Sequence, residues 1–223
     1  MDQDIQEVKA SLSPSKQVTL RMFRAFLTLL LVGLFIGVFH HNDVMVASVL
    51  AIMTPLYFYR IVRAKKINNI LVLLFGTLLS GMLGVQVEVW GISNGYWAYH
   101  DLPNERDFAY WLPFAWAMAF IYLYRLEESF IRILGLRLLR TKILVVAICA
   151  AILPTWGEIV VINLGTWSYY WPYQFFGVPM LAILLLMVFH VSIYAMLTFI
   201  CRVFSIEDLV FCVSSEKSDS KIK

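Results

Sequence analysis

Long apolar runs separated by short polar segments make up most of the chain. Six of these runs have about the 20 mostly apolar residues that a spanning helix needs. The predicted helices, numbered 1 to 6, cover residues 19–39, 44–62, 67–90, 108–124, 143–164 and 176–200. The runs are continuous and do not alternate, which excludes a membrane β-barrel. The pattern therefore predicts an all-α integral membrane protein with six transmembrane helices.

Composition and charge agree with this class and add an orientation. The chain is 61% hydrophobic and only 15% charged, far from the balance of a soluble domain. With six spans and a cytoplasmic N-terminus, all 18 Lys and Arg residues except Arg106 lie on one side of the membrane. The positive-inside rule then predicts cytoplasmic termini, with a bacterial inner membrane as the expected location. Topology accounts for the basic clusters, so we predict no nucleic-acid partner.

A twelve-residue stretch occurs twice, once at the end of helix 3 and once at the end of helix 5. Residues 88–99 read EVWGISNGYWAY and residues 158–169 read EIVVINLGTWSY. The shared Glu, Gly, Trp and Tyr lie at the same offsets, and a proline near the start of the next apolar run follows each copy (Pro113 and Pro179). We interpret this as a parallel internal duplication, with helices 3–4 and 5–6 as the two units.

The duplication divides the chain into six parts. The segment between the two units places Phe130, Ile133, Leu134 and Leu138 on one stripe and predicts a cytoplasmic amphipathic helix at the membrane surface. The parts are a polar cytoplasmic tail (1–17), helices 1–2 (18–66), repeat unit 1 (67–125), the amphipathic helix (126–142), repeat unit 2 (143–202) and a cytoplasmic tail (203–223).

The two repeated glutamates are the candidate catalytic residues. Glu88 and Glu158 lie near the outer ends of their helices, where a carboxylate should face the bundle interior or a polar pocket. Pseudo-two-fold symmetry would place them on opposite walls of one cleft. Two carboxylates in one apolar cleft repel, so at least one should keep its proton and could act as a general acid.

A purely structural interpretation of the same residues remains open. Each Glu could accept hydrogen bonds from backbone N–H groups, or from a Trp or Tyr of its own repeat. Gly95 and Gly165 would allow the turn with positive φ that such a loop needs. The repeated Trp and Tyr residues would then anchor the loops at the membrane interface.

The motif Glu-x6-Gly-x-Trp-x-Tyr, followed by Leu-Pro or Val-Pro in the next helix, resembles carotenoid-pathway membrane proteins. These are the heterodimer-type lycopene cyclases and the carotenoid hydratases, and the resemblance covers about residues 80–182. It implies that Glu88 and Glu158 are acids. It also implies that aromatic residues form pocket walls able to stabilise a carbocation, namely Trp97, Tyr99, Trp167 and Tyr169. The Pro-x-Glu-Glu/Asp element of the cyclases is missing after Pro113 and Pro179.

Two further side chains are candidate binding residues: Trp116 on the aromatic-rich helix 4 and His190 in the middle of helix 6. His190 could equally be an interhelical hydrogen-bonding residue. The outer His40, His41 and His100 lie near several Asp and Glu residues, but no metal-binding spacing connects them. We therefore predict solvated loops and no metal.

The pattern favours a membrane-embedded, cofactor-independent acid/base enzyme that acts on an apolar isoprenoid or carotenoid-like lipid. The expected partners are membrane lipids or a polyene, with a membrane protein or a second copy of the chain as further options. The alternative is a non-enzymatic membrane subunit or lipid-binding scaffold that docks a partner through its aromatic outer loops. A small transporter has weaker support, because spans 3 to 6 carry no charged residues along a midplane pathway.

Overall fold

A computed structural model of the chain describes residues 13–63 and 70–211. Lys65 and Lys66, which belong to one of the basic clusters, lie outside the described residues, as do most of the N-terminal tail and the end of the C-terminal tail. Six α-helices account for most of the described chain. They are α1 (Pro14–Phe39), α2 (Asp43–Arg63), α3 (Ile70–Ser93), α4 (Leu112–Leu134), α5 (Leu139–Asn163) and α6 (Met180–Val203).

The helix bundle consists of long apolar elements. Four helical stretches are long and apolar enough to cross a membrane: the α1–α2 stretch, α3, α5 and α6. The first runs from Pro14 to Arg63 and comprises 50 residues, with a 3-10 turn at His40–Asn42 between its two helices. α4 is not among the four, because its second half carries Arg125, Glu127, Glu128 and Arg132. The described chain is therefore mostly helical, with four stretches that by length and composition could span a membrane.

Glycines allow α3 to approach α4 closely. A Cβ atom on Gly76 would lie 2.0 Å from the Phe120 ring, and one on Gly84 would lie 2.3 Å from Trp116. A side chain at either position would displace these rings. The glycine positions of α3 thus fix which aromatic residues of α4 turn toward it.

The two repeated stretches form short strands that pair with each other. β1 (Trp97–Tyr99) and β2 (Trp167–Tyr169) are antiparallel, with Trp97 opposite Tyr169 and Tyr99 opposite Trp167. The turns before the strands contain Gly95 at φ +68° and Gly165 at φ +84°, which confirms the predicted need for glycine there. A second small hairpin, β3 (Gln174–Phe175) and β4 (Val178–Pro179), leads into α6.

The prediction of a separate amphipathic helix over residues 126–142 is wrong. α4 continues without a break to Leu134, where Gly135 adopts a left-handed conformation at φ +60° and ends it. α5 then begins at Leu139. Of the predicted stripe, Phe130 is 4% exposed and faces the bundle, whereas Leu134 and Leu138 are 45% and 66% exposed.

The first residues after α6 fold back against the bundle. Tyr124 of α4 donates a hydrogen bond to Asp208 at 2.7 Å, and Tyr194 of α6 donates one to the backbone carbonyl of Val210 at 2.7 Å. Val210 and Phe211 are fully buried in the same apolar cluster. The end of the described chain, from Asp208 to Phe211, is therefore packed against the bundle, whereas Phe204 is 69% exposed.

Candidate functional site

The helices surround a cavity of about 580 Å³. Residues of all six helices and of strands β1 and β2 line it, and its wall is mainly apolar. Among the apolar lining residues are Val32, Ile36, Leu50, Met53, Met118 and Leu186. A mostly apolar cavity of this size with a few convergent polar groups is typical of a site for a small molecule or lipid.

Both repeated glutamates line the cavity, but Glu88 is held much more firmly. Its Oε2 atom accepts hydrogen bonds from Trp97 Nε1 and from the Tyr99 hydroxyl, each at 3.0 Å. Its Oε1 atom accepts one from Trp116 Nε1 at 3.1 Å. Glu88 is only 8% exposed. Three neutral donors therefore fix the position of this carboxyl group in the cavity wall.

Glu158 has one donor where Glu88 has three. Within the described residues its only hydrogen bond comes from the Tyr169 hydroxyl, which lies 3.2 Å from Oε2. The side chain is half-buried because it borders the cavity. Its Oε1 atom is therefore available to a molecule bound there.

The paired strands bring the aromatic residues of both repeats together above the carboxyl groups. The Tyr99 and Trp167 rings lie 5.4 Å apart, and the Trp97 and Tyr169 rings 5.6 Å apart. Burial, followed by the negative charge of the nearest glutamate, raises the pKa of Tyr99 and of Tyr169 well above the ordinary value. Both hydroxyls therefore stay protonated and serve as hydrogen-bond donors to Glu88 and Glu158.

The structure brings together most, but not all, of the residues predicted from the sequence. Glu88, Glu158, Tyr99, Tyr169, Trp116 and Trp167 line the cavity. Trp97 lies behind this wall and acts through its hydrogen bond to Glu88.

His190 lies outside the cavity lining and bonds elsewhere. Its Nε2 atom is 2.7 Å from Glu127 Oε1, and both side chains are buried. This is the interhelical hydrogen bond that the sequence left open as an alternative, and it joins α6 to α4. Glu127, which falls at the start of the predicted amphipathic helix (126–142), is therefore buried between helices.

The prediction of a solvated turn at residues 40–43 is wrong for its buried members. Asp43 has no exposed surface; it accepts two hydrogen bonds from Arg106, at 2.8 and 3.1 Å, and one from the Tyr110 backbone N–H at 3.0 Å. His40 is buried, with Nδ1 2.6 Å from the carbonyl oxygen of Gly37. A carboxylate can be buried here because a guanidinium group from a distant loop reaches it.

The predicted outer histidines do not converge. His100 Nε2 lies 2.9 Å from the Ser168 hydroxyl, and His40 Nε2 lies 3.6 Å from Asp101. Within residues 13–63 and 70–211, no group of three or more His, Cys, Asp or Glu residues is arranged to hold a metal ion.

Several cavity residues were missed from the sequence. Trp111, at the start of α4, lies within 6.0 Å of the Tyr99 ring and 6.3 Å of the Trp167 ring, centroid to centroid. Tyr57 and Arg60 of α2 line the cavity at a distance from the glutamates. Trp111 lies just before Pro113, in the helix that follows the first repeated loop. This position near the repeated motif could have identified it as a cavity residue. Nothing in the sequence pattern pointed to α2.

The arrangement combines one firmly held carboxyl group, one accessible carboxyl group and several aromatic faces at one end of an apolar cavity. Such a set can donate and accept a proton and can stabilise a positive charge that develops on a bound hydrocarbon. Comparisons with protein-family models, with curated proteins and with solved structures find nothing that matches this chain. The resemblance to the carotenoid-pathway proteins thus stays a prediction.

Proposed function

We propose that the protein is a membrane-embedded acid/base enzyme that acts on an apolar isoprenoid or carotenoid-like lipid, as a cyclase or hydratase. The observation that carries the proposal is the unequal pair of glutamates at one end of the apolar cavity. Glu158 has an oxygen free to meet a ligand, and Glu88 has three fixed donors. Unequal surroundings suit two carboxyl groups to different roles in one reaction.

The proposed reaction needs no group beyond the chain and its substrate. Glu158, in its acid form, donates its proton to one carbon of a terminal double bond, and the π electrons form the new C–H bond. The carbocation left on the neighbouring carbon is stabilised by Glu88 and by the faces of Trp116 and Trp167.

The carbocation can react in two ways. In the cyclase case a second double bond of the same chain attacks the cation, and Glu158 takes back a proton from an adjacent carbon to form a new double bond. In the hydratase case water attacks the cation and returns its proton to Glu158. Both routes regenerate the acid.

We further propose that all six helices cross the membrane, with both termini cytoplasmic, and that helices 3–4 and 5–6 descend from a parallel duplication. The charge asymmetry of the sequence supports the orientation. The antiparallel pairing of Trp97–Tyr99 with Trp167–Tyr169 supports the duplication, because this register relates the two copies by a local two-fold axis. Burial of the charged residues Glu127 and Glu128 supports a membrane position for α4.

Turnover in cells that accumulate lycopene tests the proposal. We expect the wild-type protein to convert lycopene into a new product that liquid chromatography separates from lycopene. Mass spectrometry then separates cyclisation, which leaves the mass unchanged, from hydration, which adds one water. Glu158→Gln should reduce turnover by at least about 100-fold, the usual contribution of a general acid.

Glu105→Gln is the matched control, because Glu105 is exposed in a loop and lies outside the cavity lining. This variant should keep wild-type turnover. Full turnover in both Glu88→Gln and Glu158→Gln would refute the acid/base role of the glutamates, and no conversion by the folded wild-type protein would refute the enzyme. The lipids that co-purify with the wild-type protein, identified by mass spectrometry, give an independent measurement.

A lipid-binding scaffold that docks a partner protein is the second candidate. It is favoured by the aromatic side chains that protrude around the β3–β4 hairpin. Tyr173 is 85% exposed and Phe176 66% exposed. Purification from native membranes as a stable stoichiometric complex, lost on Tyr173→Ser and Phe176→Ser substitution, would support this function over the enzyme.

A further inference from the structure

The cavity has a second polar end, away from Glu88 and Glu158. Its side chains are Thr28 of α1, Tyr57 and Arg60 of α2, and Tyr122 of α4. Thr28 lies one helix over from Tyr57, and its hydroxyl donates a hydrogen bond to the Arg24 backbone carbonyl at 2.9 Å. Three hydroxyl groups and one guanidinium group therefore meet at this end.

The two polar groups of the cavity lie at different depths along α4, because Trp116, which hydrogen-bonds Glu88, and Tyr122 are six residues or about 9 Å apart. Along α4 the lining runs from Trp111 to Leu123. At 1.5 Å per residue this is about 18 Å. Along α2 it runs from Leu50 to Arg60, which is about 15 Å on the same scale. The cavity is thus elongated, with the carboxyl groups nearer one end and the Arg60 guanidinium at the other.

Within the described residues, three arginines of the bundle have acidic partners, whereas Arg60 has none. Arg106 is paired with Asp43, and both Arg125 and Arg132 are paired with Glu128. In the described part of the chain, no acidic side chain forms an ion pair with Arg60. Arg60 is exposed as well as lining the cavity, so its charge is available to a group that arrives from the membrane interface.

We propose that the second polar end of the cavity binds the anionic head of an amphiphile. The head is a phosphate or a carboxylate, and it is carried on an apolar chain. Arg60 pairs with the anion, and the Tyr57 and Tyr122 hydroxyls donate hydrogen bonds to it. The apolar chain lies along the cavity, with its far end at Glu88 and Glu158. Only the reaction at that far end rests on the proposed function; the head-binding site does not.

A general attraction between basic helix ends and anionic lipids is the competing explanation for Arg60. Arg63 separates the two explanations, because it lies three residues further along α2, is exposed and does not line the cavity. A nonspecific surface charge acts through both residues. A built head-binding site depends on Arg60 alone.

The experiment compares geranylgeranyl monophosphate with geranylgeraniol, which has the same hydrocarbon chain and a neutral head. Binding to the full chain in detergent micelles is measured by native mass spectrometry and by quenching of tryptophan fluorescence. We expect the wild-type protein to bind the phosphate at least about tenfold more tightly, the effect of one charge-assisted hydrogen bond. Arg60→Gln should bring the two affinities within about threefold, and Arg63→Gln should leave the preference unchanged.

Two further measurements distinguish a lipid phosphate from free phosphate as the ligand, and the head-binding site from the proposed enzyme activity. Inorganic phosphate alone should not displace the lipid phosphate at equal concentration; if it does, the site binds free anions and the proposal fails. Glu158→Gln should abolish turnover but keep the preference for the charged head. Equal affinity of the wild-type protein for the two lipids, or equal losses in Arg60→Gln and Arg63→Gln, would overturn the head-binding site whatever the turnover result.

Discussion

Replacing Glu88 by glutamine should destabilise the protein much more than the same change at Glu158. Glu88 accepts three hydrogen bonds, two on one oxygen and one on the other. A glutamine has one acceptor oxygen. If that oxygen keeps the bonds from Trp97 and Tyr99, its NH₂ group faces the indole N–H of Trp116, and two donors meet.

The size of the effect follows from the donor that is left over. An unsatisfied polar group in a protein interior costs about 1–3 kcal/mol, so we expect Glu88→Gln to lower the free energy of unfolding by about that amount. At Glu158 the glutamine oxygen can still accept the hydrogen bond from Tyr169, so the loss there should stay below about 0.5 kcal/mol. Reversible unfolding in mixed micelles, followed by tryptophan fluorescence, measures both values.

A double-mutant cycle tests the stated cause. Trp116→Phe removes the donor that has no acceptor in Glu88→Gln, so the double variant should be less destabilised than the sum of the two single variants. If the two losses in the free energy of unfolding are strictly additive, the unpaired Trp116 N–H is not the cause of the destabilisation in Glu88→Gln. Equal stability of Glu88→Gln and Glu158→Gln would refute the whole comparison.

Two further predictions concern the outer loops and the helix that carries Glu88. Asp43→Asn should lower the free energy of unfolding by about 2–4 kcal/mol, because it leaves the largely buried guanidinium of Arg106 without its charge partner; a loss under about 0.5 kcal/mol would contradict the ion pair. Gly91→Ala should cost about 1–3 kcal/mol, because its Cβ atom would lie 1.8 Å from the Trp97 ring that bonds Glu88. Gly157→Ala is its control: nothing lies within 4 Å of that Cβ position, so it should be neutral or stabilise α5 by up to about 1 kcal/mol, and equal losses would refute the crowding.

The repeated stretches show how far a local pattern reaches. Glycine at positions 95 and 165 was predicted from the need for a turn with positive φ, and both have it. The hydrogen bonds from Trp97, Tyr99 and Tyr169 to the glutamate of the same repeat were foreseen as the structural interpretation. These contacts span at most 11 positions, so the loop geometry alone brings the groups together.

The difference between the two glutamates was beyond the sequence pattern. The third donor to Glu88 is Trp116, 28 positions away, and it is aimed by the packing of its ring over Gly84. The repeat predicts equivalent glutamates, whereas this helix–helix contact gives one of them an additional partner. The pairing of β1 with β2 was also missed, because three-residue strands carry too few residues for an alternating pattern.

By itself, the sequence indicated long helices of membrane-spanning length, their approximate positions and the two glutamates of the cavity. Apolar length and local motifs depend only on neighbouring residues, so they can be read without the fold. Only the tertiary structure decided which charges are buried. Glu127 and Glu128 look like the polar start of a surface helix, yet α6 supplies His190 to one, and arginines of α4 itself supply partners to the other. The cost of burying a charge depends on the partner that reaches it. When that partner lies 63 positions away, only the packing of the helices can show it.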